Sequence, residues 1–404
     1  MVRSLKIGMI LDNEFTGDLR VENEVQSLQK AGHQVFVFCL THGEKPESEL
    51  YHGAHIIRIP LAKFWKKKLN GLNNTLFNFY PIWWRRHIIR LCRKYNIEAL
   101  HVHDLWLLEG AIEANKQLGL PLVSDLHENY VHALANYKWS TTFPGNILVS
   151  QAKWKKCEKK WLSKVDHIIV VIEEAAKRIE NKVISSKDIS VVANYVNLDD
   201  FKVANEELVN KIRLKHQGCY NVTYTGGFDL HRGIENVVKA VPRIVEEVPN
   251  FRLVLVGAGS NLEDLKLLTT SLGVEDNVSF EGWQKPEDLP AYIAAADAGI
   301  IPHMKTNHTD NTIPHKLFQY MLMSKPVLTS NCDPLIRIVN ETKSGNIFVQ
   351  LDVNDIADKI IDMAKNVDEA IEKGKLGRQA VMDKYNWTAT SKTLINLYSN
   401  ISNA

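Results

Sequence analysis

The chain has 404 residues, 45% hydrophobic and 24% charged, with a formal net charge of +2. That length exceeds one ordinary domain, so two of roughly 200 residues are expected, and the near-balanced charge excludes any inference of a partner from overall charge. The five cysteines (Cys39, Cys92, Cys157, Cys219, Cys332) are scattered and odd in number, which argues against a disulfide scaffold and for a reducing cytosol.

The opening MVRSLKIGMILD holds an apolar run of about six residues, too short for a signal h-region. It reads as a first strand. No uncharged apolar stretch reaches the roughly 18–20 residues of a spanning helix, so the protein is expected to be non-integral, though able to sit on a membrane. Further strands are expected at 33–40, 54–60, 98–104, 121–127, 166–172 and 188–194. Helical patterns fall at 21–32, 109–119 and 173–181, two of them closed by Gly. After about residue 218 the pattern restarts, with strands at 221–226, 251–257, 277–282, 298–303, 326–331 and 346–350. Apolar strands alternating with helices imply parallel sheets covered on both faces. The expected organisation is α/β, with two doubly wound Rossmann-like domains facing a cleft. An N-terminal domain spans 1–198, a polar linker 199–218, a C-terminal domain 219–384 and a terminal helix 385–404. Ligands are expected beyond the carboxyl ends of the strands.

Five stretches carry candidate chemistry. In YTGGFDLHRGIENVVKA (224–240) a strand ends at Gly226-Gly227, and a short loop then bears His231 and Arg232. Glycine lets backbone approach a ligand, and Arg232 offers a forked donor for phosphate. An ordinary βα turn with one solvated arginine is the plainer alternative. VGAGSNLEDL (256–265) places Gly257 in a second Gly-rich turn but lacks the dinucleotide fingerprint, which weakens a hydride-transfer reading. In NTIPHKLFQYMLMSKP (311–326) Pro314 suits a first helical turn, amides around Thr312, Ile313 and His315 face a phosphate, and Lys316 and Gln319 project to one side. A core helix with Leu317, Tyr320 and Met321 inward is the alternative there.

LHVHDLW (100–106) ends a strand with His101 and His103 on one face and Asp104 beyond, and His127-Glu128 ends the next strand similarly, so Asp104, His127 and Glu128 are expected at the acceptor side of the cleft. A catalytic metal is not expected, because His101, His103, His303, His308 and His315 lack a ligand spacing. Finally, residues 58–95 hold ten Lys or Arg and no Asp or Glu, interleaved with Phe64, Trp65, Phe77, Phe79, Tyr80, Trp83 and Trp84. Trp65, Lys66, Lys67, Lys68, Trp83, Trp84, Arg85 and Arg86 make a candidate membrane patch, and KWKKCEKKWLSK (153–164) repeats the theme. Solvated helices with their aromatics in the core are the alternative. Nucleic acid is not an expected partner.

In order along the chain, DLRVENEVQSLQKAGHQV, HVHD, SDLHENY, VVVIEEAAKRI, YTGGFDLHRGIENVVKA, LVLVGAGSNLEDL, VSFEGWQKPEDLPAYIAAADAGIIPH and IPHKLFQYMLMSKPVLTS resemble the retaining glycosyltransferases of family 4, which have the GT-B fold. The resemblance implies a nucleotide-sugar donor in the C-terminal domain, no obligatory cofactor or metal, and transfer with retention. A UDP-sugar is expected before a GDP-sugar, and the basic–aromatic patch motivates a lipid-linked glycan acceptor at the inner face of the cytoplasmic membrane. The resemblance implies His103 near the transferred sugar, Gly17 on a loop closing over the donor, and Gln319 on the ribose. Asn311 or Asp310 would contact the sugar, and Arg232 and Lys316 the departing diphosphate. The family's paired glutamates correspond here to Asn311 and Gln319, and Gly227 and Arg232 stand where an arginine and a lysine are common. A sugar-nucleotide epimerase and a non-catalytic nucleotide-binding subunit are the competing readings.

Overall fold

The computed structural model describes residues 3–74, 78–134, 140, 142, 145, 149–184, 188–199, 204–306 and 309–403. Phe77, His308 and residues 200–203 of the expected linker lie outside them. The chain divides into two compact units, Met1–Asn194 with Thr390–Ala404, and Tyr195–Ala389.

The first unit contains β1 (Lys6–Ile10), β2 (Gln34–Thr41), β3 (Ser48–Tyr51), β4 (Ala54–Pro60), β5 (Ala99–His103), β6 (Leu122–Leu126), β7 (His167–Val170) and β8 (Asp188–Val191). Their order is β3-β4-β2-β1-β5-β6-β7-β8. Only β3 runs antiparallel, against β4; the other pairs are parallel. β5 and β6 are buried along their whole length, as strands covered on both faces are. The strand β3 lies outside the expected set: SELY is polar and alternates between exposed and partly buried, so no apolar run marks it.

The second unit contains β9 (Tyr220–Thr225), β10 (Phe251–Val256), β11 (Val278–Gly282), β12 (Ala298–Ile301), β13 (Val327–Ser330) and β14 (Gly345–Phe348), all parallel, in the order β11-β10-β9-β12-β13-β14. The helix Ile234–Glu247 presents Ile234, Val237, Val238, Val241 and Ile244 to Val222, Leu253 and Leu255 of the sheet. Both sheets therefore reverse their strand order once: β1 has β2 on one side and β5 on the other, and β9 has β10 and β12. At such a reversal the flanking loops diverge and leave a crevice for ligand.

The segment expected to be a linker is corrected. Glu206–Lys215 is a helix capped by Asn205, whose side chain accepts from the amides of Glu207 and Leu208. Its Val209 and Ile212 pack with Val254, Val256, Ala291 and Tyr292 in the core of the second unit. The final helix, Trp387–Asn403, starts in the second unit, where Trp387 N donates to Val196 O at 2.9 Å. Its Leu394 and Tyr398 are buried in the first.

Candidate active site

At the reversal in the second unit, β9 delivers Gly226 and Gly227. Gly226 has φ +134, and a Cβ there would lie 2.7 Å from Lys316 Nζ. Behind it, a Cβ on Gly257 would lie 1.9 Å from Gly226 O, so both positions require glycine for close approach. The loop then turns through Leu230–Arg232, and Arg232 NH1 meets His303 Nε2 at 3.2 Å. The buried Arg232 Nε has no hydrogen-bond partner among the described residues.

The helix Lys316–Leu322 is held by Tyr320, whose hydroxyl accepts from Thr225 N at 2.9 Å and whose ring lies against Gly299. Lys316 Nζ sits 3.7 Å from the centre of the Tyr224 ring, a cation–π contact, and makes no ion pair with a carboxylate among the described residues. Burial, and then the neighbouring Arg232 charge, hold its pKa well below the usual lysine value. These groups line a cavity of about 420 Å³ that also includes Gly226, Gly227, Thr312, Ile313 and Gln319, with no Asp or Glu among the described lining residues.

The helix has only seven residues, and Arg232 and Lys316 supply positive charge at the cavity. Other donor-site candidates stand apart from it. Asp310 and Asn311 lie on the Thr309–Asn311 turn and do not line the cavity. Asp310 instead accepts from Asp333 N at 3.0 Å and stands 3.8 Å from Lys305 Nζ. Gly257 supports Gly226 from behind without lining the cavity, and Gly17, with φ +97, belongs to the first unit, where its amide donates to Glu22 Oε1 at 2.7 Å.

At the reversal in the first unit stand Asp12, beyond β1, and Asp104, beyond β5. Asp12 is buried, accepts from Trp106 Nε1 at 2.8 Å, and lies 2.7 Å from Lys66 Nζ. Asp104 has φ +68 and faces His127 Nδ1 at 3.6 Å. His127 Nε2 donates to Asp125 Oδ2 at 2.9 Å, His103 Nδ1 lies 3.1 Å from the same oxygen, and Arg20 grips both Asp125 oxygens at 2.7 and 3.2 Å. Arg20 also lies 2.9 Å from Glu24, and His101 bonds to the Tyr398 hydroxyl at 2.9 Å.

Burial opposes charge throughout this network; partners overcome it at Asp125 and His127, and burial prevails at Asp104 and His103. Arg20, His127 and the donated hydrogen bonds hold Asp125 well below the usual carboxylate range. Asp104 and Asp125 overcome burial and raise His127 to about 9. Burial lifts Asp104 to about 7, helped by Glu128, Asp125 and Asp12 and opposed by His127. Burial and His101 push His103 down to about 3. The structure encloses His103 completely, whereas Asp104, His127 and Glu128 are partly exposed. Glu24, His101, His103 and Asp125 bring ligand-type atoms within 4.8 Å of one another, but Arg20 already pairs with both acidic groups, and burial together with Asp125 pushes Glu24 up to about 8. Local sequence gave no sign of Arg20, Glu24 and Asp125, because Arg20 meets Asp125 105 residues away and Val192 172 residues away.

The basic–aromatic stretch divides. The helix Lys63–Gly71 buries none of its residues; Phe64 is 59% and Trp65 56% exposed, beside exposed Lys67 and Lys68, and Phe79 and Ile82 are exposed on the next helix. Arg86 is exposed and Arg85 and Trp83 partly so. Trp84, at 1%, is core, and Lys66 is bound to Asp12, so neither is free for a membrane. Trp154 and Trp161 of the second basic cluster are also core. Among the described residues no helix is long and apolar enough to cross a membrane.

Comparison with known proteins identifies the scaffold. Residues 19–200 match the family model described as Glycosyltransferase Family 4, and residues 206–399 the model for glycosyl transferases group 1. A GDP-mannose-dependent alpha-(1-6)-phosphatidylinositol monomannoside mannosyltransferase of Mycobacterium tuberculosis is 28% identical over 40% of this chain and 43% of its own length. The match thus spans less than half of that relative. An alpha-monoglucosyldiacylglycerol synthase of Streptococcus pneumoniae is 22% identical over 85% of this chain and 75% of its own length. In fold, sucrose-phosphate synthase of Thermosynechococcus elongatus superposes with a TM-score of 0.77 at 20% identity over 99% of both chains. The Anabaena protein HepE, solved with UDP, gives 0.73 at 13% identity, covering 98% of this chain and 100% of its own. The chain belongs to the glycosyltransferases of family 4 type and has the GT-B fold.

Proposed function

We propose that the protein is a retaining glycosyltransferase that moves a sugar from a nucleoside-diphosphate sugar, UDP-linked before GDP-linked, to a hydroxyl of a lipid or lipid-linked glycan in surface glycoconjugate synthesis. One observation carries the donor half: Arg232 and Lys316 face a cavity without a lining carboxylate. Two like charges held together, one of them largely desolvated, cost free energy that an arriving dianion offsets. Because they are preorganised, they also stabilise the charge that develops as diphosphate departs. The acceptor hydroxyl then attacks the anomeric carbon on the face the diphosphate leaves. Gln319, on the cavity wall, offers a neutral partner to the ribose.

The lipid half of the reading rests on the exposed Phe64, Trp65, Lys67 and Lys68 surface, which suits the inner face of a cytoplasmic membrane. The two lipid-glycosylating relatives agree with it. UDP is placed first because a structural neighbour holds it, and GDP second because the mycobacterial relative uses GDP-mannose.

The deciding experiment is thermal unfolding with UDP, GDP, ADP or no ligand, on wild type and Arg232→Ala. A midpoint raised by one nucleotide and not in the variant supports the donor site. A protein that shifts with no nucleotide is not a transferase of this kind. Proton NMR of the new linkage then reads the anomeric configuration, and an inverted product rules out retention.

A further inference from the structure

The cavity of the second unit holds an amine with no counter-charge. Lys316 Nζ lies 3.7 Å from the centre of the Tyr224 ring, and that ring is fixed because the Tyr224 hydroxyl donates to Gly227 O at 2.8 Å. Gly226 leaves the room this placement needs, since a Cβ there would come within 2.7 Å of Nζ. The amine is pinned at the wall but can be reached from the cavity, because Lys316 is partly exposed and among the lining residues. No carboxylate pairs with it among the described residues. Burial, and then Arg232, hold its pKa well below the usual lysine value, so the free protein carries more of the neutral amine than a surface lysine does. The neutral form keeps the lone pair, and lysines that are desolvated or set beside another cation are the nucleophilic ones.

A second observation selects the electrophile. Arg232 lines the same cavity, and its buried Nε has no hydrogen-bond partner among the described residues. A guanidinium takes phosphate through its forked N–H donors. The volume of about 420 Å³ holds more than a phosphate, and Leu289, Ile313 and Pro314 add apolar wall. A small molecule with a phosphate at one end and a carbonyl at the other can therefore anchor on Arg232 and reach Lys316. Other lysines lack this combination. Lys66 is bound to Asp12. Lys325, which burial also lowers, has Asp297 opposing that shift and does not line the cavity.

We propose that this cavity is also a covalent site, in which Lys316 forms a reversible imine with phosphorylated aldehydes whose phosphate sits on Arg232, and that the adduct excludes the nucleotide. The covalent half stands on the cavity alone; the competition with nucleotide rests on the transferase reading above. The Lys316 nitrogen gives its lone pair to the aldehyde carbon, and the carbonyl π pair moves to oxygen. A proton passes from nitrogen to that oxygen, giving a carbinolamine. Loss of the hydroxyl with the second nitrogen proton, as water, leaves the C=N bond. No oxidant or reductant is needed, and water reverses the step. While the imine lasts it fills the volume a donor would use.

The test treats the full chain with pyridoxal phosphate, or with pyridoxal as the control without phosphate, then reduces with borohydride and maps the labelled peptides by mass. Lys316 is expected to be labelled about tenfold faster than any other lysine. The phosphate should act about tenfold faster than pyridoxal, and Arg232→Ala should remove most of that preference. Lys316→Arg should lose the fast adduct. Glyceraldehyde 3-phosphate, which shares only the aldehyde and the phosphate, should block the labelling, and saturating UDP should slow it about tenfold or more. Label spread over surface lysines with Lys316 unmodified overturns the site in wild type, whatever the variants do. Equal rates with pyridoxal overturn the role of Arg232, and no block by glyceraldehyde 3-phosphate overturns the ligand class. A nucleotide that raises the unfolding midpoint yet leaves Lys316 labelling unchanged overturns the competition alone. Fast labelling of Lys316 with no midpoint shift from any nucleotide upholds the covalent site and defeats the transferase reading instead.

Discussion

In the first unit the strand order turns back between β1 and β5, and the residues leaving those strands are Asp12 and Asp104. In the second it turns back between β9 and β12, and the loops there bring Arg232 and Lys316 to a cavity with no lining carboxylate. The topology is nearly the same and the charge is opposite. Sheet order thus fixes where a ligand binds, while a few side chains beyond the strands decide what binds. The two sites also differ in how they handle burial. The first compensates every buried charge within a network that includes Arg20, Asp125, Glu24 and His127. The second leaves Lys316 and Arg232 without a carboxylate among the described residues, which suits the proposed anionic donor.

The largest expected effect removes the compensation in the first unit. Arg20→Met leaves Asp125 and Glu24 buried without their cation, so stability of that unit should fall by about 3–5 kcal/mol. Denaturant unfolding reads the loss, and Arg20→Met/Asp125→Asn should recover part of it because the stranded charge is gone. If Arg20→Met unfolds like wild type, the network is not what holds these strand ends. In the second unit, Lys316→Ala should lower kcat on the order of 100- to 1,000-fold while unfolding of the unliganded protein is little changed, since its charge opposes the empty site. An equal loss of stability would make Lys316 a structural residue.

Much of this contrast was legible before any coordinates, and the rest had physical reasons to stay hidden. Buried parallel strands read as apolar runs, so β5, β6, β9 and β10 stand within about a residue of their expected places. Gly226, Arg232 and Lys316 were visible because a glycine turn followed by cations is local chemistry. The helix Glu206–Lys215 was hidden among charges, although Asn205 as a cap and Val209 and Ile212 at i, i+3 were its signal. Trp154 and Trp161, seven apart, share one inward face; their spacing outweighs the lysines around them. No pattern within the sequence could join Arg20 to Asp125.

A smaller effect follows from protonation of Lys316. Burial and Arg232 lower its pKa in the free protein, and a bound diphosphate raises it again. Nucleotide binding should therefore take up a proton, and affinity should weaken by up to about tenfold per pH unit as pH rises from the lowered value of the free protein toward the value of the complex. Calorimetry in two buffers of different ionisation enthalpy measures the uptake directly. Lys316→Arg, charged throughout, should bind with little uptake; equal uptake in that variant would place the titrating group elsewhere.

The smallest expected change in stability tests the surface that neither switch point explains. Phe64 and Trp65 project from a helix that buries nothing, whereas Trp84, a turn into the next helix, is core. Phe64→Ser/Trp65→Ser should therefore leave unfolding within about 0.5 kcal/mol of wild type. It should nevertheless weaken sedimentation with phosphatidylglycerol vesicles, and Lys67→Gln/Lys68→Gln should weaken it by about 1 kcal/mol per charge, more at low salt than at high. Transfer to a water-soluble acceptor should be unchanged in both variants, because none of the four residues lines either strand-end site. Vesicle binding that survives both double variants would mean these side chains are a solvated face and that any membrane is met by another surface.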